Sequence, residues 1–201
     1  MASRSLTAGE IKLAKRIFKD SIDYNKVKIH DKKYIFFQPS NSGMTPNGEI
    51  YMNGVYNKDY SKLNGRAKGF LIHELVHVWQ YQLKILNPVT AAIFENFAHA
   101  FDYSKAYRYT LSPTKDILDY DIEQQAAIIE DYYLIYDAKL SPNASNLQNP
   151  MADVAANQLF HKVLSKFLVT PGFARHIIVC KKKKHGPPSQ RRRTCKRVLQ
   201  P

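Results

Sequence analysis

The chain has 201 residues, of which 44% are hydrophobic, a length that suits one domain with a buried core. Its formal net charge of +13 suggests an anionic partner, but ten of the 30 Lys and Arg residues lie between 175 and 201, where there is no acid, and the rest of the chain carries about +3. The body therefore has an ordinary solubility charge, which excludes a strongly basic domain. We predict a folded domain over 1–174 and a basic, disordered tail over 175–201.

The positions of the cysteines limit the ligands of a metal site, and the N-terminal sequence bears on the cellular location of the chain. Cys180 and Cys195 both lie in the tail, so a metal site in the domain must use His and carboxylates. The N-terminus lacks the apolar core of a signal peptide, and no apolar run approaches the roughly 18 residues that span a bilayer. We expect a soluble chain that is cytoplasmic in the producing cell, with secretion by a route that needs no signal peptide as the alternative.

The N-terminal region predicts one helix followed by a small sheet. A capping box, Thr7 to Glu10, precedes apolar residues at helical spacing and predicts a helix over about 8–20. The β-rich runs that follow are each bounded by Asp, Pro, Asn or Gly, and they predict strands at 27–30, 34–37 and 49–52. A turn directly before the third run favours an edge strand there.

The rest of the domain predicts four helices. Over about 61–83 the apolar period becomes helical, and two apolar stripes flank a polar stripe that contains His73 and His77. Proline signals and caps predict three further helices over about 89–104, from Asp119 or Asp121 to 136, and over 151–169. The domain is therefore predicted to be α+β and mainly helical, with a small N-terminal β-sheet.

His73, Glu74 and His77 form an HExxH motif within the predicted helix 61–83. Residues four apart differ by about 40° around a helix axis, so both histidines project from one face and can bind one metal ion. Glu74 is rotated by about 100° from His73, which places it beside the ion as a general base. The pattern predicts a zinc hydrolase, and a surface helix with solvated side chains is the alternative.

A catalytic zinc needs a third protein ligand and a position for water. The longer HExxHxxGxxH spacing is absent, because Gln80 and Leu83 stand where its glycine and histidine would be. We predict Glu123 as the third ligand, because alanines at 126 and 127 share its helix face and let that helix approach closely. The alternatives nearer in sequence are His99 and Asp102.

Further residues are predicted to support the site. Glu130 and Asp131 are candidates to orient a ligating histidine, and ordinary salt bridges explain them equally well. The oxyanion that develops during hydrolysis needs a hydrogen-bond donor. The candidates among the thirteen tyrosines are Tyr103, Tyr107 and Tyr120.

These residues resemble a known family. The run His73-Glu-Leu-Val-His77 before Val78-Trp79-Gln80, with Glu123-Gln-Gln-Ala-Ala later, resembles the gluzincin zinc metallopeptidases, in which a downstream helix supplies a glutamate ligand. Three other runs resemble small metallopeptidase-like proteins that accompany the spike and Rhs proteins of bacterial type VI secretion systems. These runs are Leu6-Thr-Ala-Gly-Glu10, Met44-Thr-Pro-Asn-Gly48 and Asp131-Tyr132-Tyr133. The likeness covers about residues 6 to 138.

The resemblance implies a zincin-like peptidase fold with one Zn²⁺ ion held by His73, His77 and Glu123, and Glu74 as the base. It implies a peptide or protein substrate, a spike or Rhs partner, a cognate inhibitor, and a role as a toxin or a processing protease. Zincins pair an extended substrate with an edge strand. The candidates for that strand are Glu49, Ile50, Tyr51, Met52 and Asn53. One departure is Ala127, which stands four residues after Glu123, where the family has an acid.

The basic tail offers alternatives to this function. Lys181–Lys184 and Arg191–Arg193 would neutralise phosphates, but without aromatic residues for stacking, any nucleic-acid binding is non-specific. The tail's two histidines and two cysteines fit no zinc-finger spacing. The alternative function is a non-catalytic metal-binding adaptor, or a module that binds cell wall or nucleic acid.

Overall fold

The computed structural model describes residues 3–36, 38–85, 103–140, 145–148 and 153–174. Four strands form one sheet: β1 (Ser3–Ser5), β2 (Lys28–His30), β3 (Ser42–Met44) and β4 (Ile50–Asn53). The α-helices in these ranges are α1 (Ala8–Phe18), α2 (Gly65–Gln82), α3 (Tyr103–Tyr107), α4 (Ile122–Tyr132), α5 (Asp153–Val163) and α6 (Ser165–Val169). The predicted α+β class with a small N-terminal sheet is therefore confirmed.

The order of strands in the sheet corrects the predicted edge. The order is β1-β2-β4-β3, so β4 is hydrogen-bonded on both sides, parallel to β2 and antiparallel to β3. The prediction that 49–53 forms an edge strand is therefore wrong. The turn before β4 joins it to β3 as a hairpin, and a turn shows where the chain reverses but not which partner lies outermost. The two edge strands are β1 and β3, and the sequence predicted neither of them.

The predicted strand at 34–37 is also wrong for residues 34–36, which form a bend and a turn. The backbone N–H of Tyr34 donates to the Gln38 side chain at 2.8 Å, and the N–H of Gln38 donates to the carbonyl of Ile35 at 3.1 Å. These local bonds close a turn, so strand propensity is overridden by side-chain capping.

Helix α2 runs through the centre of the domain. Asn64 caps its N-terminus, and its apolar stripes are fully buried at Leu71, Ile72, Leu75, Val76, Val78 and Trp79. Helix α4 packs against it, and the fully buried Ala126 and Ala127 present no side chain beyond Cβ to hold the two helices apart. Because both sides of α2 are covered, its polar stripe is buried at His73, His77 and Gln80, whereas Arg66 near the start of the helix is exposed.

The predicted helices that begin at Asp121 and at 151 agree with the structure in outline. Asp121 is the N-cap of α4, which continues as a π-helix over Tyr133–Asp137. The predicted helix 151–169 is divided at Leu164 into α5 and α6, and its first two residues lie outside the described ranges. Most of the predicted helix 89–104 and the whole tail 175–201 also lie outside those ranges. Within the described ranges, none of the helices is long and apolar enough to cross a membrane.

Glu10 is a fully buried carboxylate that ties α1 to the segment before α2. It accepts hydrogen bonds from both Arg4 Nη atoms at 2.7 Å and from the backbone N–H groups of Thr7 and Tyr60 at 2.8 Å. A buried carboxylate is stable in a fold when its desolvation is offset by such donors.

Replacing Glu10 by Ala is expected to lower the free energy of unfolding by about 3 kcal/mol, because Arg4 and two backbone donors lose their acceptor. Urea unfolding of the metal-free protein measures this loss. The control is Asp20→Ala, since the Asp20 side chain is 86% exposed where it pairs with Lys15, and we expect less than about 0.5 kcal/mol for it. Equal losses in both variants would contradict the assigned role of Glu10.

Candidate metal centre

Two adjacent helices bring three ligand atoms together. His73 and His77 lie one turn apart on α2, and Glu123 lies in the first turn of α4. The His73 Nε2, His77 Nε2 and Glu123 Oε2 atoms form a triangle in which each side is 3.3 Å. Among the His, Cys, Asp and Glu residues that the structure describes, these three have ligand atoms close enough together to hold one metal ion.

The size of this triangle fits a tetrahedral zinc ion. Ligands about 2.0–2.1 Å from a tetrahedral centre are separated from one another by roughly 3.3–3.4 Å. The three observed separations match that value, so the ion would need little movement of the ligands. Three protein ligands leave one tetrahedral position for water or substrate, which is the arrangement of catalytic rather than structural zinc.

Each histidine is oriented by a hydrogen bond at its other ring nitrogen. His73 Nδ1 lies 3.1 Å from Glu130 Oε2, and His77 Nδ1 lies 2.8 Å from Gln80 Oε1. A carboxylate or an amide oxygen only accepts, so both Nδ1 atoms donate, and in the neutral form of each ring the lone pair therefore lies on Nε2, which faces the triangle. Glu130 thus occupies the orienting position for which it was a candidate.

Asp131, the other candidate for orienting a histidine, serves a different purpose. It is buried and accepts from the Tyr109 hydroxyl at 2.7 Å and from the backbone N–H groups of Ser145 and Asn146 at 2.9 and 3.2 Å. Asp131 therefore anchors the segment 145–148 rather than a histidine, because adjacent residues on a helix point about 100° apart and Glu130 already faces His73.

Glu74 is buried beside the triangle, where it contacts the edge strand β3 and Thr45. Its Oε2 accepts a hydrogen bond of 2.7 Å from the hydroxyl of Thr45, which directly follows β3. A Cβ on Gly43 would overlap the Glu74 carboxylate, so only glycine permits β3 to lie this close to it. The edge strand therefore passes directly over the predicted base.

The pocket at this centre opens beside the edge strand. It is lined by Gly43, Met44, Thr45, His73, Glu74, His77, Tyr107 and Glu123. The residues 49–53, predicted to receive substrate, are not in this lining, because β4 lies one strand further in. Of the tyrosines, Tyr107 reaches the pocket, and its ring lies 5.5 Å from that of His73.

Tyr120, another nominated donor, does not line the pocket. The hydroxyl of Tyr120 accepts from the backbone N–H of Ser112 and donates to the carbonyl of Thr110, so this buried tyrosine braces a loop instead. The Tyr103 side chain lies outside the described part of the chain, as do both alternative ligands, His99 and Asp102.

Burial and close charges shift the pKa values of the site. Burial lowers the pKa of His73, but hydrogen bonds with Glu123 and Glu130 raise it well above the ordinary value. Burial raises the pKa of Glu123, yet the attraction of His77 and the hydrogen bond with His73 bring it far below the ordinary value. Glu74 is different, because burial raises its pKa against the attraction of the histidines, which suits a general base.

The affinity for zinc is expected to fall as the pH falls, because a proton and the ion compete for His73. The pKa of His73 is raised, so this competition begins at a higher pH than for a histidine with the ordinary value of 6.5. We expect about a tenfold loss of affinity per pH unit for each displaced proton. Competition titrations against a chelator at several pH values measure it. Glu130→Gln should move the onset to lower pH, and an unchanged onset would contradict this cause.

Sequence reasoning missed several residues at the site. Gly43 and Thr45 lie in and just after an unpredicted strand, and the Met44-Thr-Pro-Asn-Gly48 run was the signal near them. Gln80 stands three residues after His77, a spacing that places it on the same helix face. That spacing could have nominated it as a partner of His77.

The fold and the site together define an α+β domain with a candidate three-ligand metal centre of the HExxH type. The effector domain of Pseudomonas aeruginosa VgrG2b has a solved structure that is 37% identical in sequence, with a TM-score of 0.58. The match covers 73% of this chain and 85% of that domain. The chain therefore belongs to the family of the VgrG2b effector domain.

The same family is found among complete proteins. The type VI secretion system spike protein VgrG2b of Pseudomonas aeruginosa is 37% identical over 170 residues, which are 83% of this chain. The chain spans only 15% of the length of that spike protein. No protein-family model matches the chain.

Proposed function

We propose that this chain is a type VI secretion effector domain that acts as a zinc-dependent peptidase with a zincin-like site. The observation that carries the proposal is the triangle of His73 Nε2, His77 Nε2 and Glu123 Oε2, with 3.3 Å sides and the Glu74 carboxylate beside it. Hydrolysis by a zinc-activated water requires a zinc ion with three protein ligands and a general base beside it, and the buried carboxylate of Glu74 is in the position of that base.

The residues of the site divide the chemistry between them. His73, His77 and Glu123 would hold the zinc ion, which when bound lowers the pKa of a water molecule and polarises the scissile carbonyl. Glu74 is the general base and later returns the proton to the leaving amine. Since Thr45 holds Oε2 of Glu74, the proton is taken up at Oε1. Tyr107 is the candidate donor to the developing oxyanion, because it lines the same pocket.

The substrate is proposed to be an extended peptide that pairs with β3. This strand is the sheet edge nearest the centre, and Gly43 and Met44 line the pocket. Backbone hydrogen bonds to an edge strand bind a peptide without requiring a particular sequence. This assignment replaces the predicted pairing with residues 49–53.

The proposed partners follow from the family. VgrG2b is named as a spike protein, so we propose that a spike or Rhs protein carries this domain out of the producing cell without a signal peptide. A toxin that hydrolyses proteins endangers its producer, so a cognate inhibitor completes the proposal. The tail would contact nucleic acid only non-specifically.

The test of this function combines metal analysis with a search for cleavage. The purified chain is expected to contain one zinc ion and to cleave peptides in a library prepared from a bacterial proteome, with new termini identified by mass spectrometry. A chelator should abolish cleavage and added zinc should restore it. Stoichiometric zinc without any cleavage would instead support the non-catalytic metal-binding adaptor, and absence of zinc would remove the proposed centre.

A further inference from the structure

Two buried glutamines connect the metal-binding helices. Gln80 on α2 is fully buried and Gln125 on α4 is 3% exposed. The Gln80 Nε2 atom donates to the Gln125 Oε1 atom and to the backbone carbonyl of Ile122, each at 3.0 Å. Gln125 Nε2 in turn donates to the carbonyl of Tyr120 at 2.8 Å. The chain of bonds ends at His77 Nδ1, which lies 2.8 Å from Gln80 Oε1.

The two backbone carbonyls set the direction of every bond in this chain. A carbonyl oxygen only accepts, so the NH₂ group of Gln125 must face Tyr120 and that of Gln80 must face Ile122. The side-chain oxygen of Gln125 then faces Gln80, and the side-chain oxygen of Gln80 faces His77. The oxygen of Gln80 demands a donor, so the proton of a neutral His77 is placed on Nδ1. Nε2 then carries the lone pair that faces His73 and Glu123.

We propose that Gln80 is a positioning residue for His77, and that the amide chain from Gln125 to Gln80 selects the metal-binding tautomer of this histidine. The same Gln80 side chain also donates to the carbonyl of Ile122, the residue before Glu123, so it contributes to the packing of α4 against α2. The inference rests on the proposed zinc site but not on hydrolysis.

A neutral partner for His77 has a physical reason. The centre already contains the carboxylates of Glu74, Glu123 and Glu130, and a further buried negative charge would be costly to desolvate. An amide orients the ring without adding charge. The amide of Gln80 also supplies two N–H donors, which a carboxylate lacks. They bond the carbonyl of Ile122, the first residue of α4, and the side chain of Gln125.

The test separates the acceptor of Gln80 from its donors. Gln80→Met removes both and is expected to weaken zinc binding about 10–100-fold in a chelator competition titration. Gln80→Glu keeps the acceptor for His77 and loses the donors, so we expect less than about a threefold change in affinity but a lower free energy of unfolding. The control is Gln82→Met on the same helix, whose amide bonds the backbone of Asp23, and its affinity should equal that of the wild type.

A purely structural role predicts a different pattern, in which both Gln80 variants lose affinity in proportion to their loss of stability. That result would overturn the proposal, as would wild-type affinity in Gln80→Met. Should Gln80→Met fail to fold, Gln125→Met removes only one acceptor of the Gln80 amide, and we expect about a threefold to tenfold loss of affinity. Wild-type affinity in that variant would overturn the proposal in the same way.

The tautomer itself gives a readout that does not need zinc. In ¹⁵N NMR spectra of the imidazoles, recorded on metal-free protein at a pH where His77 is neutral, we expect the proton on Nδ1 in the wild type. A mixture of tautomers is expected in Gln80→Met. The same tautomer ratio in both proteins would overturn the inference even if zinc binds, and the expected difference would support it even if the wild type binds no zinc and the proposed function fails.

Discussion

Glu74→Gln is expected to lower kcat by about 10²–10⁴-fold while the protein keeps its zinc. The amide has the shape of the carboxylate, and its oxygen can still accept from Thr45, so the edge strand stays in place. An amide does not take up a proton, however, so the attacking water is no longer deprotonated. The measurement is the rate of peptide cleavage at saturating substrate, with zinc content determined on the same sample.

The control for this variant is Glu49→Gln. Glu49 is a carboxylate beside the sheet that pairs with His30 at 2.7 Å, and it is not in the lining of the pocket. Its replacement should leave kcat unchanged. Retained cleavage in Glu74→Gln at full zinc occupancy would exclude Glu74 as the base, whereas a joint loss of zinc and activity would show that it serves the metal instead.

Glu123→Ala is expected to weaken zinc binding by more than about 10²-fold. This exceeds the typical loss of affinity when a residue that only hydrogen-bonds to a metal ligand is replaced. The variant leaves two histidines on one helix, and it removes the negative charge that balances the ion in a buried site. Zinc at about a thousandfold excess over the wild-type Kd should stabilise the wild type by about 4 kcal/mol, and should stabilise the variant by less than about 1.5 kcal/mol. Thermal unfolding with and without zinc measures the difference.

Gln124→Ala is the matched control for Glu123→Ala. Its side chain follows Glu123 on the same helix but bonds the carbonyl of Arg108, away from the two histidines. Zinc should stabilise this variant as it does the wild type. Full zinc occupancy in Glu123→Ala would contradict the two-helix centre and would direct attention to another third ligand.

Local signals in the sequence predicted the helices and the motif. The capping box at Thr7, the N-cap Asp121 and the apolar stripes of α2 each act within a few residues, and the structure contains the corresponding helices. The same holds for HExxH, because one helix fixes the relation of its three residues. The approach of Glu123 was predicted from Ala126 and Ala127, whose small size also acts over short range.

Non-local features escaped prediction. The position of β4 inside the sheet depends on β2 and β3 pairing on either side of it, which no property of 49–53 reveals. Thr45 acts through Glu74, which is distant in sequence, so its residue type gave no hint of a role. Gln80 lies within one turn of His77, but the partners of its NH₂ group on α4 are distant in sequence. Among thirteen tyrosines, the choice of Tyr107 required knowing where α3 lies against α4.

The central claim is that one zinc ion binds between α2 and α4 with a position left for water. X-ray diffraction from crystals of the zinc-loaded protein, recorded at the zinc absorption edge, tests it most directly. We predict one anomalous peak, about 2.0–2.1 Å from His73 Nε2, His77 Nε2 and a Glu123 carboxylate oxygen, with a water molecule as the fourth ligand. No peak at this position, or a fourth protein side chain closing the coordination sphere, would contradict the account.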